Sequence, residues 1–84
     1  MEIDESLLEP LPLDGFEVAR VRLHGGGPPF SEVRLGVDEY RYNRSYPVKG
    51  HGANLPRYLR EQMASGKKPL VIERVDRFYV YLTS

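Results

Sequence analysis

Only one stretch of this chain spaces its core-type residues with the period of a helix. Between Asn54 and Gly66, the residues Leu55, Tyr58, Leu59, Gln62 and Met63 share one face, and Arg57, Arg60 and Glu61 point away from it. The ends of this stretch are marked chemically. Asn54 is a favoured N-cap type, Pro56 falls in the first turn where its missing N–H costs nothing, and Gly66 stands where a helix closes in the left-handed conformation. Lys67 and Lys68 follow at the negative end of the helix dipole. These signals predict one short helix at about 55–65.

The remaining segments alternate with period two. "FEVARVRL" (Phe16–Leu23) sets Ala19, Val21 and Leu23 against Arg20 and Arg22. "EVRLGV" sets Val33, Leu35 and Val37 against Glu32, Arg34 and Gly36. "YRYNRSYPV" puts Tyr40, Tyr42 and Tyr46 on one side and ends at Pro47, a strand terminus or an edge. "PLVIERVDRFYVYL" reads as a hairpin about "VDR", with Phe78, Val80 and Leu82 facing one way and Tyr79 and Tyr81 the other. "HGGGPPF" (His24–Phe30) is a loop, because three glycines supply freedom and two prolines remove donors. Short links between strands favour antiparallel pairing. The expected fold is therefore α+β: a small, mostly antiparallel sheet, ordered β-β-β-α-β-β along the chain and packed on the one helix. Residues 15–84 form the single domain. Residues 1–14 read as an acidic, apolar arm, broken by Pro10 and Pro12, in which "SLLE" can make one helical turn capped by Ser6.

With 84 residues there is room for one small core, so association with a partner or with a second copy is expected. Six tyrosines and three phenylalanines exclude a wholly disordered chain. The absence of cysteine excludes a disulfide scaffold, thiolate zinc sites and a cysteine nucleophile, and it suits a reducing cytoplasm. No apolar run approaches the roughly 20 residues of a membrane span. "MEIDESLLEPLPLD" is the opposite of a signal peptide, so a cytoplasmic chain without membrane contact is expected.

Charge divides the sequence. Residues 1–40 hold three arginines against nine carboxylates, and residues 41–84 hold nine basic residues against three carboxylates. Within 41–68, Arg41, Arg44, Lys49, Arg57, Arg60, Lys67 and Lys68 face only Glu61. Either the halves superpose and neutralise one another, or the second half presents a basic face.

The chemistry-bearing residues are few. His24 and His51 would need a carboxylate such as Asp38 to converge on a metal, and no metal or cofactor is expected. His51 with Lys49 and a tyrosine sketches a metal-free, ribonuclease-like site. The glycines of "HGGGPPF" are followed by prolines and a strand rather than a helix, so it is not a phosphate loop, but Phe30 can serve as an interaction tip. "KGHGAN" can receive an anion on its backbone N–H groups beside Lys49, or can merely permit a bend. Tyr42 and Tyr46 alternate with basic residues, as stacking side chains do in nucleic-acid-binding proteins and as ordinary strand residues also do.

From Val48 to Leu82 the order of Gly52, Leu55, Pro56, Leu59 and Arg60, followed by the closing hairpin, resembles the AbrB/SpoVT-type swapped-hairpin DNA-binding family. "SGKKP" keeps Gly66 but carries Lys67 where that family has an acid. The resemblance implies an obligate dimer whose arginines, such as Arg57 and Arg60, meet DNA phosphates.

The expected function is a non-enzymatic binding module, nucleic-acid-binding or regulatory, acting through the 41–68 surface, with the acidic arm able to dock there as a phosphate mimic. The alternative is an accessory subunit that docks a larger protein through Leu7, Leu8 and Leu11 of the arm and Phe30 of the 24–30 loop. The third reading is the ribonuclease-like enzyme using His51.

Overall fold

The computed structural model describes all 84 residues. Seven strands and one helix follow in the order β1 (Glu2–Ile3), β2 (Leu11–Leu13), β3 (Phe16–Leu23), β4 (Glu32–Leu35), β5 (Asp38–Pro47), α1 (Asn54–Ala64), β6 (Pro69–Arg74) and β7 (Arg77–Thr83). All seven strands join one sheet, ordered β1-β4-β5-β7-β6-β3-β2. The expected small antiparallel sheet, ordered β-β-β-α-β-β along the chain, is thereby overturned: five strands precede the helix and two follow it. The sheet is mixed, since β1 runs parallel to β4 and β3 runs parallel to β6. The segment read as an arm supplies β1 and β2. The β3–β6 pair is parallel because β4, β5 and α1 intervene between the two strands, a connection far longer than the short links from which antiparallel neighbours were inferred.

The sheet cannot lie flat. Six strand spacings would separate its edges by about 29 Å. Yet β1 and β2, the two edges, are joined by Asp4–Pro10 alone. Fully extended, the eight residue steps from Ile3 to Leu11 would span about 26–29 Å, barely the width of a flat sheet, and the 3-10 turn at Glu5–Leu7 cuts that by several ångströms. Asp4 caps this turn by accepting from the Ser6 backbone N–H, so the cap is Asp4 and not Ser6. Leu8 then bridges Val21, and the Glu9 N–H donates to the Arg20 carbonyl, laying the link along β3. The sheet therefore rolls.

Rolling covers one of its two apolar faces. Ile3, Val21, Val33, Leu35, Tyr40, Leu70, Ile72 and Tyr81 make the inner cluster, drawn from every strand but β2. The outer face carries a second cluster of Leu11, Val18, Val71, Phe78, Val80 and Leu82, closed by Leu55, Tyr58 and Leu59 of α1. Because β6 is covered on both faces, Leu70, Val71 and Ile72 are buried in succession.

The helix begins one residue earlier than its cap chemistry suggests. Ala53 is the N-cap and makes no side-chain bond, and Asn54 is already helical. Its far end is closed by a Schellman arrangement, with the Gly66 N–H on the Met63 carbonyl and the Lys67 N–H on the Gln62 carbonyl. Gly66 sits at φ +88°, where a side chain would be strained. Met63, assigned by spacing to the buried face, is exposed.

A bulge in β5 also changes an expected face. Pairing with β7 shifts register between Tyr42 and Arg44, so Asn43 and Arg44 both face the helix side. Tyr40 and Tyr42 stay with the inner cluster, and Tyr46 moves to the outer one beside α1. The three tyrosines do not share a side. The Tyr58 hydroxyl donates to the Asn43 side chain, tying the bulge to the helix.

At the β6–β7 turn Val75 holds φ +53°, the one non-glycine residue with positive φ, and is 70 % exposed. A β-branched side chain there is strained by about 1–2 kcal/mol. Val75→Gly is therefore expected to raise stability by about 1 kcal/mol in urea unfolding. Closure of the roll gives a second expectation. Ile3→Ala, at a buried position of β1, should cost about 2–4 kcal/mol, whereas Leu7→Ala, at an exposed one, should cost less than about 0.5 kcal/mol. Equal and small losses at both positions would show that β1 does not close the sheet.

Candidate nucleic-acid interface

The basic residues of 41–68 fall into two groups. Arg41 lies 3.4 Å from Glu32 across the β4–β5 pair, and Lys68 lies 3.3 Å from Asp38. Arg44, Lys49, Arg57, Arg60 and Lys67 are exposed, and none has a carboxylate within 4.0 Å. Of the N-terminal acids Asp14 stands near them, beside Arg57 and Arg60, and makes no ion pair with either. Glu9 instead reaches Arg20 and Arg22 on β3, where Glu73 completes a four-charge cluster.

These five cations surround the solvent side of α1. Arg44 comes from β5 and places its guanidinium 4.2 Å over the Tyr58 ring, on one flank. Arg60 occupies the other flank, 4.8 Å over the Phe16 ring, and donates to the Asp14 carbonyl. Arg57 points outward from the first turn of the helix, Lys49 precedes the helix and Lys67 follows it. Burial pushes the Tyr58 hydroxyl above its usual range, and the charge of Arg44 opposes that shift. A hollow of about 430 Å³ opens at the helix start between Asp14, Gly52, Arg57, Arg60 and Glu61.

The tyrosines named for stacking are separated by the bulge. Tyr46 lies 6.0 Å from Tyr58 between β5 and α1. Tyr42 meets Tyr79 at 6.0 Å and Tyr81 at 5.7 Å, both edge to face, on the opposite side of the sheet. Of the residues considered for a protein partner, Leu11 lies in the outer core, Leu8 packs against the inner one, and Leu7 and Phe30 project. His24 is exposed in its loop. His51 sits 5.9 Å from the Phe78 ring with Nδ1 2.9 Å from the Gly52 carbonyl, a bond that requires the proton on Nδ1. No three His, Cys, Asp or Glu side chains gather in a geometry suited to a metal. No helix is long and apolar enough to cross a membrane.

Sequence reasoning passed over Arg74 and Arg77. Arg74 donates to three carbonyls of the 24–30 loop, those of Gly26 at 2.6 Å, Pro28 at 3.2 Å and Gly25 at 3.4 Å, and lies 5.5 Å over the Phe30 ring. Arg77 donates twice to the Ser45 hydroxyl. The only signal for either in the sequence was a basic residue on each side of the hairpin turn, with nothing to show what it faces.

Comparison of the chain with models of known protein families, with curated proteins and with solved structures finds no match.

Tyr81 yields a pH prediction. It is 1 % exposed, and burial pushes its hydroxyl up to about 12, against a backbone hydrogen bond with Phe30 that acts the other way. A group whose folded pKa is raised contributes stability that is complete below the unfolded value near 10 and is lost as pH rises through the folded one. Stability is expected to fall between about pH 10 and 12 by up to about 1.4 kcal/mol per unit. Tyr81→Phe should flatten that fall in urea midpoints measured against pH.

Proposed function

We propose that this protein is a non-enzymatic module that binds nucleic acid through phosphate contacts made around α1. One observation carries the reading: Arg44, Lys49, Arg57, Arg60 and Lys67 are exposed without a carboxylate partner, although the chain as a whole carries as many acids as bases. Formal neutrality does not weaken it, because a local cluster and not the net charge sets the field a phosphate meets. Guanidinium and ammonium groups spread over two flanks and the back of one helix suit a repeating array of charge better than a single small anion. The side chains this face exposes are cations, so it grips the backbone and does not read bases.

The resemblance of residues 48–82 to the AbrB/SpoVT-type proteins supports the same ligand, since it implies phosphate contacts for Arg57 and Arg60, and it adds a homodimer. Among the five cations Arg60 also braces the β2–β3 turn, so Lys49 and Arg57 are the cleaner probes of binding.

Fluorescence anisotropy with a duplex of about 20 base pairs tests the proposal. The slope of log affinity on log salt is about −0.9 per phosphate neutralised, so three or four contacts give about −3. The double variant Lys49→Ala, Arg57→Ala should lose about 2 from that slope while leaving the unfolding midpoint unchanged. Absence of binding at about 50 mM salt, or a slope near zero, would refute the proposal.

A further inference from the structure

The face of the sheet opposite α1 carries a second arrangement, built from Phe30, Tyr42, Tyr79, Arg74 and Arg77. The β5 bulge decides which residues accompany it, placing Ser45 and Pro47 on this face in place of Tyr46. With Tyr42 opposite Tyr81, Ser45 opposite Tyr79 and Pro47 opposite Arg77, the inner-face residues of β5 and β7 continue past the enclosed core toward the β6–β7 turn. There the rings of Tyr42 and Tyr79 are only half-buried, at 6.0 Å between centroids. Phe30 is 40 % exposed and is not loose: its loop is lashed by the three Arg74 bonds, and the Ser31 carbonyl accepts from the Tyr42 N–H. A glycine-rich loop that would otherwise cost entropy to order is thus already held in place.

The two arginines are unusual in what they lack. Arg74 bonds only backbone carbonyls, Arg77 bonds only a hydroxyl, and neither has a carboxylate within 4.0 Å. Each keeps N–H groups to spare, since a guanidinium has five donors. Two unneutralised positive charges therefore stand beside partly exposed rings, Arg74 at 5.5 Å over Phe30 and Arg77 two residues from Tyr79 on the same face of β7. Rings offer a π-face to any unpaired base, and guanidinium groups bond phosphate oxygens. Paired bases expose no face to such rings, so the surface discriminates between single strands and duplex.

We infer that this face binds a single strand of nucleic acid, with Phe30, Tyr42 and Tyr79 as the stacking surface and Arg77 as a phosphate contact. Arg74 acts as a positioning residue that holds the Phe30 loop. The ligand class rests on the function proposed above, but the surface is a different one, on the other side of the sheet.

The experiment titrates the full chain with oligo(U), oligo(dT) and a duplex, each of about 12 nucleotides per strand, following both anisotropy and the protein's tyrosine fluorescence. Single strands are expected to quench the tyrosine signal, and Tyr79→Leu and Phe30→Leu each to weaken single-strand binding about tenfold with duplex binding unchanged. Because Tyr79→Leu can disturb packing, Arg77→Gln serves as a second variant. It keeps a donor for Ser45 and should lower the single-strand salt slope by about 0.7. The relative affinity for oligo(U) and oligo(dT) tells RNA from DNA, and preference for either supports the inference. Single-strand binding indifferent to all three substitutions overturns it while leaving the α1 surface standing, as does quenching by duplex alone. No binding of any nucleic acid overturns both.

Discussion

A sheet that is apolar on both faces has only an eleven-residue helix to cover it, and everything else in this structure depends on how the second face is closed. The closure is made by Asp4–Pro10, which joins the two edge strands over a distance too short for a flat sheet. It brings Ile3 onto the same cluster as Val21 and Leu70, from strands far away in the sheet order. The Glu5 carboxylate lies so close to the β4–β5 turn that a side chain on Gly36 would meet it at 2.6 Å, and Gly36 itself holds φ +60°. The link is thus seated against the body of the domain along its length.

Rolling also separates two surfaces that the linear chain mixes together. The β5 bulge at Asn43 sends Arg44 and Tyr46 toward α1 and keeps Tyr42 with the inner face. One tyrosine-and-arginine segment thereby serves both sides of the sheet: cations around a helix on one, half-buried rings beside arginines on the other. A single residue of extra chain accomplishes this, because the side-chain period of a strand is two and any insertion inverts it.

The candidate interface was legible in part. The basic excess of 41–68 is a matter of composition, and Arg57 and Lys49 project as a helical wheel and a loop suggest. Composition could not show that Arg41 and Lys68 meet Glu32 and Asp38, since those contacts join residues from opposite halves of the chain. Nor could it show that Arg60 spans 46 residues to the Asp14 carbonyl. Arg74 escaped notice for the same reason: its three acceptors lie 46 to 49 residues upstream and are backbone atoms, which no side-chain pattern announces.

Local physics was decided by the sequence itself. The stop at Gly66, the helical face of Leu55, Tyr58 and Leu59, the tight turns and the short alternating segments follow from steric and hydrophobic rules acting over a few residues. The sheet order, the parallel β1–β4 and β3–β6 pairs and the recruitment of the first fourteen residues into the core were decided only in three dimensions. Alternation says that a strand has an inner face but not which strand it lies beside, and two short pieces of one acidic, proline-broken segment become sheet edges only when a rolled sheet offers them carbonyls and an apolar interior to meet.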